Sequence, residues 1–311
     1  MQITDTILMI RPARFSFNPE TAKTNHFQQA VDLSLEELHQ RAAAEFDAMV
    51  DILRRHEIDV IVIDDTASPF KPDAIFPNNW ISTNAAGTVS IFPMQAESRR
   101  LERRNDIVDI LKKQFAVNHV QDWSVFENDK QFLEGTGSMV IDHTHRVIYA
   151  CLSPRTHQSV VEKFAEANDY RAITFTAHDE NGKEIYHTNV MMSIGEHFAV
   201  LCPKAITDHT ERVAVAQLLE ATGHENIYIT HQQMNAFAGN MLQVKNKLGK
   251  RFIAMSQKAF DILEEEQRAR LGQHGQLLPI QVSTIEQVEG GSVRCMMAEI
   301  FLKKNELEVL Q

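Results

Sequence analysis

The sequence predicts an α/β protein built from five repeats of one supersecondary unit. Five stretches have the apolar spacing of amphipathic helices, each is followed by a short β-rich run, and the helix starts recur about every 50–60 residues. A period of that size is typical of a repeated unit and not of two unlike domains. The helical stretches lie at about 35–56, 97–115, 155–168, 207–222 and 256–271.

The first and fourth helical stretches show the pattern most clearly. Leu38, Phe46 and Met49 recur at helical spacing, with charged residues such as Glu37 on the opposite face. The fourth stretch starts at a Thr-Asp capping signal at 207–208 and stops at Gly223. The fifth is predicted to open at Ser256 and to end at Gly272.

Short β-rich runs alternate with these helices. They are predicted at 59–63, 116–120, 140–141, 147–149, 170–175, 190–194, 198–201, 226–230 and 277–282. Five strand–strand–helix–strand units predict a ring with pseudo-fivefold symmetry, formed by one domain over residues 1–311. A doubly wound sheet with a swapped subdomain would alternate in the same way, so periodicity alone leaves both arrangements open.

Composition limits the classes of function. The 311 residues are 43% apolar and 23% charged, as in soluble globular proteins, and the net charge of −11 argues against nucleic acid or an anionic membrane as partner. We expect no signal peptide or membrane span, because no long apolar run is present. Three widely spaced cysteines predict no disulfide framework and favour a reducing cytoplasm.

A glycine pair followed by a cysteine near the C-terminus is the most informative motif. Gly290-Gly291 frees the backbone to turn, and Cys295 follows as a candidate nucleophile at the start of a strand. His187 is the candidate base, and Glu134 is the candidate acceptor that orients its imidazole. Taken singly, each also has a structural interpretation: a buried thiol, a core histidine and a solvated carboxylate.

The order of these three residues resembles the guanidine-modifying, or pentein, superfamily, which includes arginine deiminases, dimethylarginine dimethylaminohydrolases, amidinotransferases and succinylarginine dihydrolases. The motifs Glu134-Gly135, His187-Thr188-Asn189 and Gly290-Gly291-Ser292-Val293-Arg294-Cys295 carry the resemblance. It implies a five-bladed α/β propeller in which Cys295 is the nucleophile, His187 the general acid/base and Glu134 its partner. The segments Ile10-Arg11-Pro12 and Phe76-Pro77-Asn78-Asn79-Trp80 look most like the bacterial branch described as citrulline-utilisation hydrolases.

Two departures from the deiminase pattern bear on the substrate. Where deiminases carry aspartates, this chain has Asn79 and Asn189. Paired carboxylates suit a cationic guanidinium, whereas an amide offers one donor and one acceptor without charge. The asparagines therefore favour a neutral ureido group, and citrulline is the expected substrate. A role in turns is the structural alternative for both residues.

The resemblance also suggests contacts with the amino-acid end of the substrate. Arg99 is expected to bind the carboxylate and Asp73 the amine, while an exposed helix start and a turn remain the alternatives. Neither a cofactor nor a metal is expected. Asp142-His143-Thr144-His145 is predicted to be a hairpin turn and not a metal site. A homo-oligomer is left open.

Other activities of the superfamily remain as alternatives to citrulline hydrolysis. Arginine dihydrolysis comes next, followed by deimination, dimethylarginine hydrolysis and amidino transfer. A non-catalytic, ribosome-binding protein of the same fold would have no reason to combine Cys295, His187 and Glu134. In a papain-like protease the nucleophile opens a helix early in the chain, which Cys295 does not.

Overall fold

Five three-stranded sheets make up the β-structure of residues 1–305, the part of the chain that the computed structural model describes. The strands are β1 Thr6–Arg11, β2 Asp59–Asp64, β3 Ile81–Thr83, β4 Thr88–Ile91, β5 His119–Asp122, β6 Val140–Asp142, β7 Val147–Leu152, β8 Arg171–Thr176, β9 Met192–Ile194, β10 Phe198–Leu201, β11 Glu225–Tyr228, β12 Leu242–Lys245, β13 Arg251–Ser256, β14 Gln276–Ile280 and β15 Ala298–Glu299.

Each sheet repeats one topology. The middle strand pairs antiparallel with the strand before it and parallel with the strand after it, and the parallel connection contains a helix. The blades are β15-β1-β2, β3-β4-β5, β6-β7-β8, β9-β10-β11 and β12-β13-β14, numbered one to five here. The first blade joins both ends of the chain, since Leu8 in β1 pairs with Ala298 in β15. The predicted five-bladed propeller is therefore confirmed.

Helices connect and flank the strands of the blades. They are α1 Leu35–Arg55, α2 Glu97–Arg100, α3 Asn105–Gln114, α4 Gly135–Ser138, α5 Gln158–Ala167, α6 Thr188–Met191, α7 His209–Ala221, α8 His231–Asn235, α9 Gln257–Ile262, α10 Glu265–His274 and α11 Ser283–Glu289. Ser34 caps α1 by accepting a hydrogen bond from the Glu37 N–H, and Leu38, Phe46 and Met49 are buried beneath it. No helix within residues 1–305 is long and apolar enough to cross a membrane.

Two of the predicted helices are each divided in the structure. The 97–115 stretch splits into α2 and α3 because the backbone is extended at Arg104, whose side chain donates to the Asp64 carbonyl. The 256–271 stretch splits because buried Leu263 is extended, and the capping box of Glu264 with Gln267 starts α10 anew. That second helix runs past Gly272 to His274.

Two of the predicted β-runs also differ from the structure. The strand predicted at 116–120 is displaced to His119–Asp122, and the run at 190–194 begins with the helical turn Thr188–Met191 before β9. The second difference matters for function, since this turn follows His187 directly. The hairpin predicted at 142–145 is confirmed by the pairing of Asp142 with Val147.

Candidate active site

Five short turns, one in front of the first strand of each blade, meet at the axis of the ring. They are Pro77–Asn79, Gly135–Ser138, Thr188–Met191, the segment 239–240 and Val293–Met296. Glycines allow the close approach: a Cβ on Gly135 would lie 2.3 Å from the Asn78 carbonyl oxygen, and one on Gly239 would lie 2.4 Å from that of Val190. The repeat thus delivers one turn from every blade to the same place.

A small cavity lies where these turns meet, and most of the predicted site residues line it. Asp73, Asn79, Arg99, His187 and Cys295 line it. Glu134 and Asn189 lie behind this surface, where Glu134 contacts His187 and Asn189 contacts Cys295. A wider groove between Phe27 and Phe237 contains none of the three predicted catalytic side chains.

Cys295 lies in the Val293–Met296 turn just before β15, and not in the strand itself. Its side chain is buried, and Asn240 Nδ2 and Asn189 Nδ2 lie 3.3 and 3.5 Å from Sγ. The Arg294 N–H donates to Asn240 Oδ1 at 3.1 Å, which directs the amide nitrogen of Asn240 at the sulfur. Two neutral N–H donors are therefore placed to stabilise a thiolate.

Asn240 is a site residue that the motif search missed. It belongs to the blade that supplied no recognised motif, in Ala238-Gly239-Asn240-Met241 ahead of β12. The repeat itself could have pointed to Asn240. Four of the five units supply a motif at the axis, which implies that the remaining unit also reaches the axis.

His187 and Glu134 form a buried pair with a defined tautomer. His187 Nε2 lies 2.8 Å from Glu134 Oε2, while Glu134 Oε1 accepts the N–H of Gln95 at 3.0 Å. A carboxylate only accepts, so the imidazole proton is on Nε2 and Nδ1 is free to accept a proton. Nδ1 lies against Gly137, where a Cβ would be 2.8 Å away.

The charges around this pair keep the carboxylate ionised. Burial would raise the pKa of Glu134, but Arg155, His187 and Arg99 together lower it to about 2. Burial lowers the pKa of His187 to about 4, although the hydrogen bond and charge of Glu134 oppose this. At neutral pH the pair is thus an anionic carboxylate with a neutral imidazole.

Arg99 fixes the orientation of the Asn79 amide. Its guanidinium binds both oxygens of Glu102 at 2.9 Å and donates to Asn79 Oδ1 at 2.9 Å. Because arginine has no acceptor, the amide oxygen must face Arg99 and Nδ2 must face the other way. Asn79 Nδ2 is buried without a partner and lies against Gly137, as His187 Nδ1 does.

A second group of polar side chains occupies another wall of the cavity. Asp73 accepts from Asn18 Nδ2 at 2.6 Å and lies 3.5 Å from Arg99 Nε. Glu289, which immediately precedes Gly290, is also buried, and burial together with the charge of Asp73 raises its pKa well above the usual range. Its Oε2 accepts from Gln28 Nε2 at 2.7 Å.

Arg155 is a further cation lining the cavity that sequence reasoning did not single out. Its NH1 lies 3.5 Å from Glu134, and its other nitrogens donate to Thr24 Oγ1 and to the Thr21 carbonyl. These last two groups belong to the segment 18–28, from which Thr21, Asn25 and Gln28 line the cavity. Arg99, in contrast, is bound mainly to Glu102 and Asn79.

Gly137→Ala tests the close packing of Asn79 and His187. The new Cβ would lie 2.4 Å from Asn79 Nδ2 and 2.8 Å from His187 Nδ1, so both side chains must move. A displacement near 1 Å at reacting groups costs about 100-fold in rate, and we expect that loss in kcat/KM. Gly272→Ala in α10 is the control, since no atom lies within 4 Å of its Cβ. Equal activity of the two variants would contradict the packing argument.

The pH profile tests the state of His187. A proton on Nδ1 prevents the imidazole from accepting another, so activity falls as pH drops below the pKa of His187, which is about 4. We therefore expect kcat/KM to stay level from pH 6.5 to pH 5 and to halve near pH 4. Steady-state kinetics in constant-ionic-strength buffers measure this, and an acidic limb near pH 6.5 would show that the imidazole is not shielded by burial.

Comparison with known families assigns the chain to a class. The model of the family described as N,N-dimethylarginine dimethylhydrolase, eukaryotic, matches residues 11–302, which include all the site residues above. The chain belongs to this family. It is therefore a hydrolase of the pentein superfamily, acting on carbon–nitrogen bonds other than peptide bonds. The superfamily assignment made from the three motifs is confirmed.

Solved structures with the same fold include three informative relatives of low identity. The N-terminal domain of ArgZ, an arginine dihydrolase from the ornithine–ammonia cycle in Cyanobacteria, matches with TM-score 0.71 and 15% identity over 96% of this chain and 98% of that one. AgrE with ornithine and NAD+ matches with TM-score 0.71 and 17% identity over 98% of this chain and 40% of its own.

A dimethylarginine dimethylaminohydrolase in adduct with S-methyl-L-thiocitrulline matches with TM-score 0.63 and 12% identity, over 96% of this chain and 100% of that one. At these identities the three matches establish the propeller fold of this family member and not its substrate. No curated protein sequence matches the chain.

Proposed function

We propose that this hydrolase cleaves the ureido group of citrulline, giving ornithine, ammonia and carbon dioxide. The orientation of the Asn79 amide is the observation that carries the proposal. Arg99 holds Oδ1, so an unpaired N–H donor faces the cavity where a deiminase would present a carboxylate. A ureido oxygen needs such a donor, whereas a guanidinium has no acceptor to offer it.

Asn189 supplies the complementary group. Its Nδ2 contacts the Cys295 sulfur, while its Oδ1 is buried without a hydrogen-bond partner. The two asparagines thus leave one donor at the cavity wall and one acceptor behind it, next to Cys295, without a partner. A ureido group presents the reverse pair, a carbonyl oxygen and an amine, and a site with matched polar groups rejects analogues that leave them unpaired.

Cys295 then attacks the ureido carbon. The thiol proton passes to His187 Nδ1, and the negative charge of Glu134 stabilises the imidazolium that forms. His187 returns this proton to the departing nitrogen, and a covalent carbonyl–sulfur intermediate remains on Cys295. The N–H of Asn79 is placed to stabilise the oxygen as charge develops on it.

Water completes the reaction. His187 Nδ1 accepts a proton from a water molecule, which attacks the carbonyl carbon and displaces the Cys295 thiolate as a carbamic acid is released. His187 then returns its proton to Cys295, and the carbamic acid breaks its remaining carbon–nitrogen bond in solution to give carbon dioxide and the second amine. Citrulline plus one water thus balances ornithine, ammonia and carbon dioxide.

We assign the amino-acid end of citrulline to the opposite wall of the cavity. Asp73 is the proposed partner of the α-ammonium, with Glu289 beside it. The predicted contact between Arg99 and the carboxylate needs a change of role, since its guanidinium already binds Glu102 and Asn79. We therefore propose that Arg99 positions Asn79. Arg155 donates to the uncharged Thr21 carbonyl and Thr24 hydroxyl, which a substrate carboxylate can replace, so we propose that Arg155 binds the carboxylate.

Arginine dihydrolysis is the second candidate, and the Asp73–Glu289 pair favours it. These two buried carboxyl groups face the same cavity and offer acceptors to a cationic substrate. A solved relative of the same fold is described as an arginine dihydrolase. Ornithine is a product in both cases, so the substrates must be tested separately.

Product analysis distinguishes the candidates. The purified protein and Cys295→Ala are each incubated with citrulline, arginine and dimethylarginine, and amino acids, ammonia and carbon dioxide are quantified. We expect ornithine from citrulline alone, and no product from the variant because the nucleophile is absent. Ornithine from arginine would identify a dihydrolase, whereas citrulline accumulating from arginine or dimethylarginine would contradict the assignment of Asn79 and Asn189.

A further inference from the structure

Three metal-ligating side chains converge on the face of the ring opposite the active site. Asp142 ends β6, His145 lies in the β6–β7 hairpin, and His224 immediately precedes β11. The active-site turns lie at the start of β6 and β9, so the end of β6 and the start of β11 are on the far side. The cluster joins the third blade to the fourth.

His224 distinguishes this cluster from an ordinary hairpin turn. Its side chain is 1% exposed, and its Nδ1 is held by Thr222 Oγ1 at 3.0 Å. This contact directs Nε2 at Asp142 Oδ2, 3.8 Å away, which is too long for a hydrogen bond. A buried imidazole nitrogen thus lies near a buried carboxylate oxygen without a hydrogen bond between them, and the contact at Nδ1 fixes the orientation of the ring.

The remaining distances also suit a metal ion. His145 Nδ1 lies 2.8 Å from Asp142 Oδ2, and the three ligand atoms all lie within 4.8 Å of one another. Ligands at about 2.0–2.2 Å from a tetrahedral Zn²⁺ are about 3.4 Å apart, between the two distances observed here. Asp142 Oδ1 is engaged by the His145 N–H, which leaves Oδ2 for the cluster.

We propose that Asp142, His145 and His224 bind a Zn²⁺ ion that links the third and fourth blades. His145 is 38% exposed on its side chain, so the fourth coordination position is open to water and the ion can enter from solvent. The site lacks any nucleophile of the reaction above, and its role is structural. The sequence predicted no metal here because His224 is 79 residues beyond His145 and outside every metal-binding spacing pattern.

Binding of Co²⁺ and Zn²⁺ to the full chain tests the proposal. The Cys295→Ala background removes the active-site thiol as a competing ligand. After chelation and dialysis, we expect one Co²⁺ per chain with visible d–d absorption, displaced by one Zn²⁺. His145→Gln and His224→Gln should each weaken binding at least about 100-fold, since even outer contacts of metal ligands contribute 10–100-fold.

His209→Gln is the matched control, because His209 is exposed at the start of α7. It should bind the metal with unchanged affinity. His145 lies at the surface, so its variant keeps the fold and remains informative even where His224→Gln unfolds. Zn²⁺ should also raise the Tm of the background protein and not that of His145→Gln. Failure to bind Co²⁺, or equal binding by His145→Gln, would overturn the proposal.

Discussion

Asn79→Asp should lower kcat/KM for citrulline about 100- to 1000-fold, the usual effect of losing one donor to a developing oxyanion. The carboxylate keeps the bond to Arg99 but replaces the free N–H beside His187 Nδ1 with an acceptor. The ureido oxygen would then face a negative charge. Turnover of guanidino substrates relative to citrulline should rise, because a carboxylate pairs with a guanidinium.

The same substitution should move the acidic limb of the pH profile. A carboxylate beside Nδ1 favours the imidazolium, so the pKa of His187 rises and activity falls at a higher pH than in the parent protein. Kinetics with citrulline and arginine from pH 4 to pH 8 measure both effects. Citrulline turnover within threefold of the parent would refute the donor role of Asn79. Asn181→Asp, in an exposed loop, controls for the added charge.

Glu134→Gln should reduce kcat about 10³- to 10⁴-fold, because it reverses the tautomer of His187. Oε1 of Glu134 accepts the Gln95 N–H and Oε2 accepts from His187. A glutamine has only one acceptor, so its oxygen stays with Gln95 and its NH₂ faces His187 Nε2. The imidazole proton must then move to Nδ1, where it blocks the base.

The loss of charge should also destabilise the fold. Arg155 NH1 and Arg99 NH1 lie 3.5 and 3.8 Å from Glu134, and removal of one partner of a buried ion pair costs about 3–5 kcal/mol. Denaturant unfolding, kinetics and ¹⁵N NMR of the imidazole measure the three consequences. Glu127→Gln is the matched control, since Glu127 also binds a backbone N–H and arginines but outside the site. A Glu134→Gln variant with kcat close to that of the parent would refute the tautomer argument.

Much of the fold was readable from the sequence, and the misread boundaries have physical causes. Local apolar periodicity predicts a helix wherever one face is buried, so α1 and α7 were predicted within two residues. The same pattern does not show where a tertiary contact interrupts a helix. The extended backbone at Arg104, whose side chain binds the distant Asp64 carbonyl, and the burial of extended Leu263 ended helices whose periodicity continued.

The candidate active site could be predicted only in part, because motifs identify some of its residues and only tertiary contacts identify the others. Motifs identified Cys295, His187 and Glu134, and the structure places them together, although their catalytic roles stay predictions. Asn240 carries no recognisable motif and contacts Cys295 only because the fourth and fifth blades meet the first at the axis. Arg99 was expected to bind the substrate carboxylate, whereas in the structure Glu102 occupies two of its nitrogens. The cytoplasmic location and a homo-oligomer also stay predictions.

The sequence by itself determined the repeated α/β unit, the number of repeats and the residue types available for chemistry, because these follow from local periodicity and from motifs within short segments. Only the tertiary structure decided which atom of each polar group faces the cavity. The donor side of Asn79 depends on Arg99, 20 residues away, and the free nitrogen of His187 depends on Glu134, 53 residues away. Such orientations arise from buried hydrogen bonds between segments that only the folded chain brings together.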